Sequence, residues 1–383
     1  MRQQSYLSVL CTLPPKTWYS QVRLTIFRDR QAENRQNGLP SLPQYGPYIS
    51  TRLGAYTAKS SQLPEHREAC TEMRSEKLDH FADRLIATIQ RHNNPVMVGL
   101  DPRNESLPSG LRVSDSLDLA RIASAYRQFC CGVIDVVASM VPIVKPQAAF
   151  FEQIGPLGMQ ALADVIRYAS DRGLLVVLDG KRNDIGSTAT AYAQGFLGPG
   201  AASPWGSDAM TVSPYLGDDS LEPFVQTAVE RSCGVFVLVK TSNPGGKRLQ
   251  DLIVEGRPMY EHVGELVQQL AQRTLGHGGY GAVGSVVGAT YPEQLADLRG
   301  KMPNCWFLVP GYGAQGAGAA DVAGAFDDRG LGAMVNNSRG IIFAHARPEY
   351  RQRFGDARWQ DAVAAATQEM IEQLRAVLPS VSS

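Results

Sequence analysis

The sequence predicts an α/β fold, a (β/α)8 TIM barrel, for residues 73–383. Three observations point to it. Eight short, continuous Val/Ile/Leu-rich runs occur after residue 94, and such runs suit strands buried on both faces of a parallel sheet. Helical stripes with a single apolar face lie between them. The whole alternation occupies about 280 residues, the usual size of such a barrel. An open doubly wound sheet is the competing architecture. It usually has fewer strands, and no G-x-G-x-x-G follows the first run here.

In chain order the runs are PVMVGL (95–100), VPIVK (141–145), LLVVLDGK (174–181) and AMTVSP (209–214). GVFVLVKTS (234–242), AVGSVVGA (282–289), CWFLVPGYG (305–313) and AMVNNSRG (333–340) complete the eight. Between the first and second, Leu119, Ile122, Tyr126, Phe129, Val133 and Val136 recur at steps of three and four. Met159, Leu162 and Ile166 do the same after the second. Trp359, Val363, Ala366, Met370, Leu374 and Val377 repeat the pattern after the eighth. These stripes read as core, not as cofactor contacts.

Residues 1–72 differ from the rest. They hold nine Lys/Arg against five Asp/Glu, and Pro14, Pro15, Pro40, Pro43 and Pro47 break them without any sustained period. They read as a disordered or non-native extension. Met73 opens MRSEKLDHFADRLIATIQ, which looks like an ordinary protein start.

Across all 383 residues, 37 Lys+Arg balance 37 Asp+Glu. Zero net charge argues against nucleic acid or anionic membrane as a partner held by bulk attraction. No run of 18 apolar residues exists to span a membrane, and the first residues hold too short an apolar run for a secretory signal. The six cysteines (11, 70, 130, 131, 233, 305) form no C-x-x-C pair and no cluster with histidine. A zinc site or disulfide framework is therefore not expected, and a reducing cytoplasm is the default. Cys233 and Cys305, each beside an apolar run, read as small buried hydrophobes.

Barrel enzymes carry their chemistry at the C-terminal ends of the strands. Here those ends supply Asp101, Lys145, the stretch Asp179-Gly-Lys181-Arg-Asn-Asp184, Lys240-Thr-Ser242-Asn243, Pro310-Gly-Tyr-Gly-Ala-Gln315 and Asn-Asn-Ser-Arg339-Gly340. Residues two apart on a strand share a face, so Asp179 and Lys181 point the same way. Lys145 comes from the neighbouring strand and Asp184 begins the next loop, which makes an alternating Lys–Asp–Lys–Asp array. A structural ion-pair network at the rim is the plainer reading, but four charges are costly to dehydrate without a purpose. The last two loops offer Gly311, Gly313 and Gly316, and then Arg339-Gly340. Glycines let backbone amides approach an anion and arginine presents a planar fork to phosphate. Either loop alone could be a tight turn; together with the array they imply a phosphorylated small molecule.

These residues resemble the orotidine 5′-phosphate decarboxylase family, in its longer bacterial (type 2) subgroup. The resemblance runs from about Met73 to the C-terminus. It rests on D-x-K-x-x-D at Asp179-Lys181-Asp184, on KPQAAFFEQ after the second run, SNPG after the fifth, and the PGYGAQG and NNSRG loops. The resemblance implies decarboxylation of orotidine 5′-phosphate to uridine 5′-phosphate and CO2, the last step of de novo pyrimidine nucleotide synthesis, without a cofactor. It implies that Lys181 protonates C6, that Asp179 sits against the substrate carboxylate, and that Asp101 and Lys145 hold the ribose hydroxyls. Ser242 and the Pro310 backbone would meet the pyrimidine, and Gln315, Arg339 and the Gly340 backbone the phosphate. Asp184 and Thr188 would reach into a partner's site, making the working unit a homodimer.

Three other readings compete with this one. Metal-dependent sugar-phosphate decarboxylases share D-x-K-x-x-D, but that chemistry wants an acidic ligand at the second strand end, where this chain has Lys145. A pentulose-phosphate epimerase wants histidines at strand ends, and those at 66, 80, 92, 262, 277 and 345 avoid them. A nucleotide-binding barrel without turnover fits poorly with a complete charged array.

Overall fold

The computed structural model describes residues 80–313 and 316–379; the expectations for residues 1–72 and Met73 lie outside them. Among the described residues eight parallel strands close a barrel in sequential order. They are β1 (Val96–Leu100), β2 (Ile143–Pro146), β3 (Leu175–Arg182), β4 (Ala209–Val212), β5 (Gly234–Lys240), β6 (Val283–Val287), β7 (Phe307–Val309) and β8 (Ala333–Asn337). Val96 pairs with Val335 to shut the ring. The principal helices are α1 (Phe81–His92), α2 (Leu119–Val137), α3 (Pro156–Ser170), α4 (Gly186–Phe196), α5 (Glu222–Glu230), α6 (Met259–Gln272), α7 (Pro292–Lys301) and α8 (Trp359–Arg375). No helix among the described residues is long and apolar enough to cross a membrane.

Each predicted run holds a strand; Pro146 of β2 and Arg182 of β3 lie one residue past their runs, and other runs overshoot where the chain must turn. β7 stops at Val309 because Pro310 has no amide for the ladder and Gly311 turns at φ 107°. β8 gives way after Asn337 to a short helix, Arg339–Ile342. A two-stranded hairpin, Ile253–Val254 with Arg257–Pro258, lies between β5 and α6 and was not expected. Two-residue strands carry no readable period.

Alternation along each strand divides the core into two layers. Val96, Val98 and Leu100 of β1 pack outward against helices, while Met97 points into the lumen with Ile143, Val177, Phe236, Trp306 and Met334. The outer stripes behave as expected at most positions. On α2, Ile122, Tyr126, Phe129 and Val133 are buried, and Phe129 stacks on Phe343 at 5.6 Å with Trp359 at 5.2 Å. Fully burying one such side chain contributes roughly 1.5–3 kcal/mol. Leu119 and Val377, at the edges of their stripes, are exposed. Val377 lies beyond the end of α8.

The lumen is stoppered at its N-terminal end by α1. Phe81, Leu85 and Ile89 recur every fourth residue and join the lumen cluster. His80 caps the helix by accepting from the amide of Ala82 at 3.2 Å. The Phe81 ring meets Phe236 edge-on at 6.1 Å. It also explains Gly234, where a Cβ would lie 2.4 Å from that ring. Arg84 fastens the stopper: it pairs with Asp208 at 2.7 Å and donates to the Ser232 carbonyl at 2.9 Å. The other oxygen of Asp208 accepts from the Val176 amide at 2.9 Å.

Candidate active site

With its floor closed by α1, the barrel formed by the described residues opens at the C-terminal ends of its strands. A pocket of about 290 Å³ lies there, with walls from all eight strand ends. Leu238, Val286 and Leu308 supply apolar surface; Asp101, Lys145, Gln147, Asp179, Lys181 and Thr211 supply the polar side.

Local irregularity in β3 shapes the polar side. Its pairing with β4 is regular to Leu178–Met210 and resumes at Arg182–Val212, so the intervening residues bulge. Lys181 takes the left-handed conformation at φ 46°. That costs a β-carbon-bearing residue on the order of 1 kcal/mol, a cost found most often at functional sites. Its amide donates to Thr211 Oγ1 at 2.9 Å, and its side chain folds back so that Nζ reaches Asp179 Oδ1 at 2.6 Å.

Asp179 is the centre of the arrangement. Oδ2 accepts from Lys145 Nζ at 2.8 Å and Gln147 Nε2 at 2.9 Å. Oδ1 accepts from Lys181 Nζ at 2.6 Å and Thr211 Oγ1 at 2.9 Å. Burial alone would raise this carboxyl's pKa, but the ammoniums of Lys145 and Lys181 outweigh it and hold it well below the ordinary carboxylate range. Burial likewise pulls Lys145 down, and the carboxylates of Asp179 and Asp101 more than restore it, leaving it raised. Asp179 and Lys145 are therefore ionised at neutral pH. The two ammoniums differ in access: the Lys145 side chain is 4% exposed and that of Lys181 46%. Lys181 is the more open of the two to a ligand and to proton exchange with water.

The other expected residues divide. Asp101, Ser242, Pro310 and Arg339 line the same pocket. One carboxylate oxygen of Asp101 is buried without a hydrogen-bond partner among the described residues. The Pro310 carbonyl accepts from the Ala289 amide at 2.9 Å. Arg339 stands exposed at the rim. The Gly340 amide donates to Asn337 Oδ1 at 3.1 Å. Gln315 lies outside the described residues. Asp184 is not in the pocket wall of this chain; its Oδ1 accepts from the Ile185 amide at 2.8 Å, and Thr188 is exposed on α4. Within one chain the array thus comprises Lys145, Asp179 and Lys181.

Two neutral residues that complete the Asp179 shell, Gln147 and Thr211, were not singled out from sequence. Gln147 lies two beyond Lys145 and shares its face, and Thr211 is a polar residue inside an apolar strand. Both were detectable signals. Lys240 is a correction in the other direction. It was counted among strand-end charges converging on the mouth. A register shift between Leu238 and Lys240 takes it out of the lumen, and it pairs with Asp251 instead. Cys233 and Cys305 are buried, and burial pushes both thiols up to about 12. Among the described residues no three His, Cys, Asp or Glu side chains are grouped to hold a metal ion.

Comparison with known proteins identifies the family. The model of the Orotidine 5′-phosphate decarboxylase / HUMPS family matches residues 94–352. The orotidine 5′-phosphate decarboxylase of Rhodopirellula baltica is 58% identical over 300 residues, covering 77% of this chain and 99% of that protein. That of Haloarcula marismortui is 45% identical over 296 residues, covering 76% and 96%. The structure of Leishmania donovani OMP decarboxylase is 35% identical, with a TM-score of 0.60, over 78% of this chain and 98% of that one.

Proposed function

This chain belongs to the orotidine 5′-phosphate decarboxylase family, and we infer that it converts orotidine 5′-phosphate to uridine 5′-phosphate and CO2 in pyrimidine nucleotide synthesis. The observation that supports the mechanism is a single buried carboxylate, Asp179, held between two ammoniums of unequal exposure.

The chemical problem is specific. When the bond from C6 to the carboxylate breaks, its electron pair stays on C6 as a vinyl-type carbanion with no π system to receive it. Lys181 faces that carbon in our reading. Its ammonium stabilises the growing negative charge and then gives C6 its proton. The neutral amine regains a proton from water, to which it is open. The group acts without a cofactor in this scheme.

Asp179 acts in the opposite sense, against the substrate carboxylate. Two charges about 4 Å apart at an effective dielectric of about 20 repel by roughly 4 kcal/mol. If that vanished at the transition state it would give about three powers of ten in rate, far short of what so demanding a decarboxylation needs. Preorganised stabilisation by Lys181 therefore carries the greater share. Lys145, Gln147 and Thr211 hold Asp179, and Asp179 holds Lys181, so no reorganisation is needed at the moment of reaction.

The remaining assignments follow the pocket wall. Asp101 and Lys145 take the ribose hydroxyls, Ser242 and the Pro310 backbone the pyrimidine, and Arg339, Gln315 and the Gly340 amide the phosphate. Phosphate held at the rim lets remote binding energy be expressed at C6. Asp184 and Thr188 lie outside the wall and are assigned to the site of a partner copy in a homodimer. The free thiols of the described cysteines suit the cytoplasm. The test is direct: purified protein, orotidine 5′-phosphate and no added metal, with the ultraviolet change and released CO2 followed together, with and without EDTA. Stoichiometric CO2 in both is expected; no turnover without metal would overturn the cofactor-free scheme.

A further inference from the structure

Lys240 closes β5, and regular alternation would carry it, with Phe236 and Leu238, into the lumen. The register shift between Leu238 and Lys240 turns it outward, where it is 1% exposed. Its ammonium pairs with Asp251 and lies 5.1 Å from the ring centroids of both Tyr260 and Tyr291. Enclosing a lysine this completely is unfavourable unless its charge is matched, and the match here comes from one carboxylate and two ring faces.

The position of the pair gives it meaning. Residues 241–250 lie between its two members, and Thr241, Ser242 and Asn243 of that segment line the pocket. The ion pair therefore joins the two ends of the loop. Inside it, the Thr241 amide donates to Gln250 Oε1 at 3.0 Å, Gln250 Nε2 donates to Thr241 Oγ1 at 2.8 Å, and Thr241 Oγ1 donates to Asn243 Oδ1 at 2.7 Å. The Lys240 carbonyl accepts from the Gly288 amide at 2.8 Å. Thr290 Oγ1 donates to the Ser242 carbonyl at 3.3 Å, tying the loop to its neighbour.

We propose that Lys240 and Asp251 form a buried latch that fixes the Thr241–Asn243 segment at the height required to meet the substrate's base. Lys240 is a positioning residue; it touches no substrate. The proposal rests on the reading that Ser242 faces the pyrimidine.

The test uses Lys240→Met, which keeps the apolar stem and removes the charge, and Asp251→Asn, at a partly exposed position where folding is least at risk. Affinities for uridine 5′-phosphate and for ribose 5-phosphate are measured by calorimetry, with kcat and KM for orotidine 5′-phosphate. Each variant should bind uridine 5′-phosphate about tenfold more weakly, the scale of one lost hydrogen bond. Ribose 5-phosphate, which has no base, should bind unchanged. KM should rise more than kcat falls, and the double variant should be no worse than the poorer single one. Equal weakening of both ligands, or no weakening of either, overturns the latch. If the unaltered enzyme itself does not prefer uridine 5′-phosphate to ribose 5-phosphate, the assignment of the loop to the base falls first, and the latch with it.

Discussion

The two ends of the barrel each hold a buried aspartate, and they are built differently. At the floor, Asp208 meets one cation, Arg84, and gives its other oxygen to the Val176 amide. At the mouth, Asp179 meets two cations, and its two oxygens accept four side-chain hydrogen bonds. One arrangement is balanced and ties α1 to the strands. The other gives its carboxylate a second ammonium, Lys181, held in place and half open to a pocket. Stability asks only for the first; the accessible ammonium at the second has a use when a negative charge is to be created there.

The largest expected effect separates the two ends most sharply. Lys181→Ala should lower kcat by at least about a thousandfold while uridine 5′-phosphate binding changes only a few-fold. Retained turnover would break the comparison. Next, the two aspartates should fail in different ways. Asp208→Asn should cost about 3–5 kcal/mol of stability, because Arg84 loses its carboxylate, yet leave kcat of the folded enzyme unchanged. Asp179→Asn should lower kcat by about a hundredfold or more. Denaturant titration beside kinetics at the same temperature distinguishes the two.

Arg339→Ala should weaken phosphorylated ligands by about ten- to a hundredfold while hardly changing binding of the bare nucleoside. Equal losses for both would make Arg339 structural. The smallest effect is in the pH dependence of stability. Asp179 is depressed in the fold, so its contribution is complete above its unfolded value, about 4, and is lost as pH falls through the folded value. Lys145 is raised, so its contribution is complete below its unfolded value, about 10.4, and is lost as pH rises through the folded one. Melting temperature should therefore show an acid limb that Asp179→Asn flattens, and this pair should add no slope between about pH 5 and 9.

Most of the framework was legible because parallel strands buried on both faces leave uninterrupted apolar runs; six strands lie within those runs, and β2 and β3 pass theirs by one residue. The charged array was legible because adjacency is a simple rule that sets Lys145 beside Asp179; Lys181 also meets Asp179 as strand parity predicts, but by folding back from a bulge. What escaped has physical reasons. Lys240 was misdirected because a bulge inverts parity and leaves no local mark in the sequence. The role of α1 was not read because an amphipathic stripe tells that a helix has a partner, not that the partner is the inside of a barrel. Gln147 and Thr211 have no formal charge and add nothing to a charge pattern, yet half of the hydrogen bonds on Asp179 come from these neutral groups.

The helix that plugs the barrel has one more consequence. A chamber with a single doorway admits its reactant and discharges both products by the same route. If the substrate carboxylate meets Asp179, as proposed, CO2 is released there, and Phe81, Leu85 and Ile89 close the way beneath it. The gas must slip past the nucleotide, or wait for it to go. With Arg339 on the phosphate, as proposed, the order in which the two leave would be set by how firmly the rim grips it.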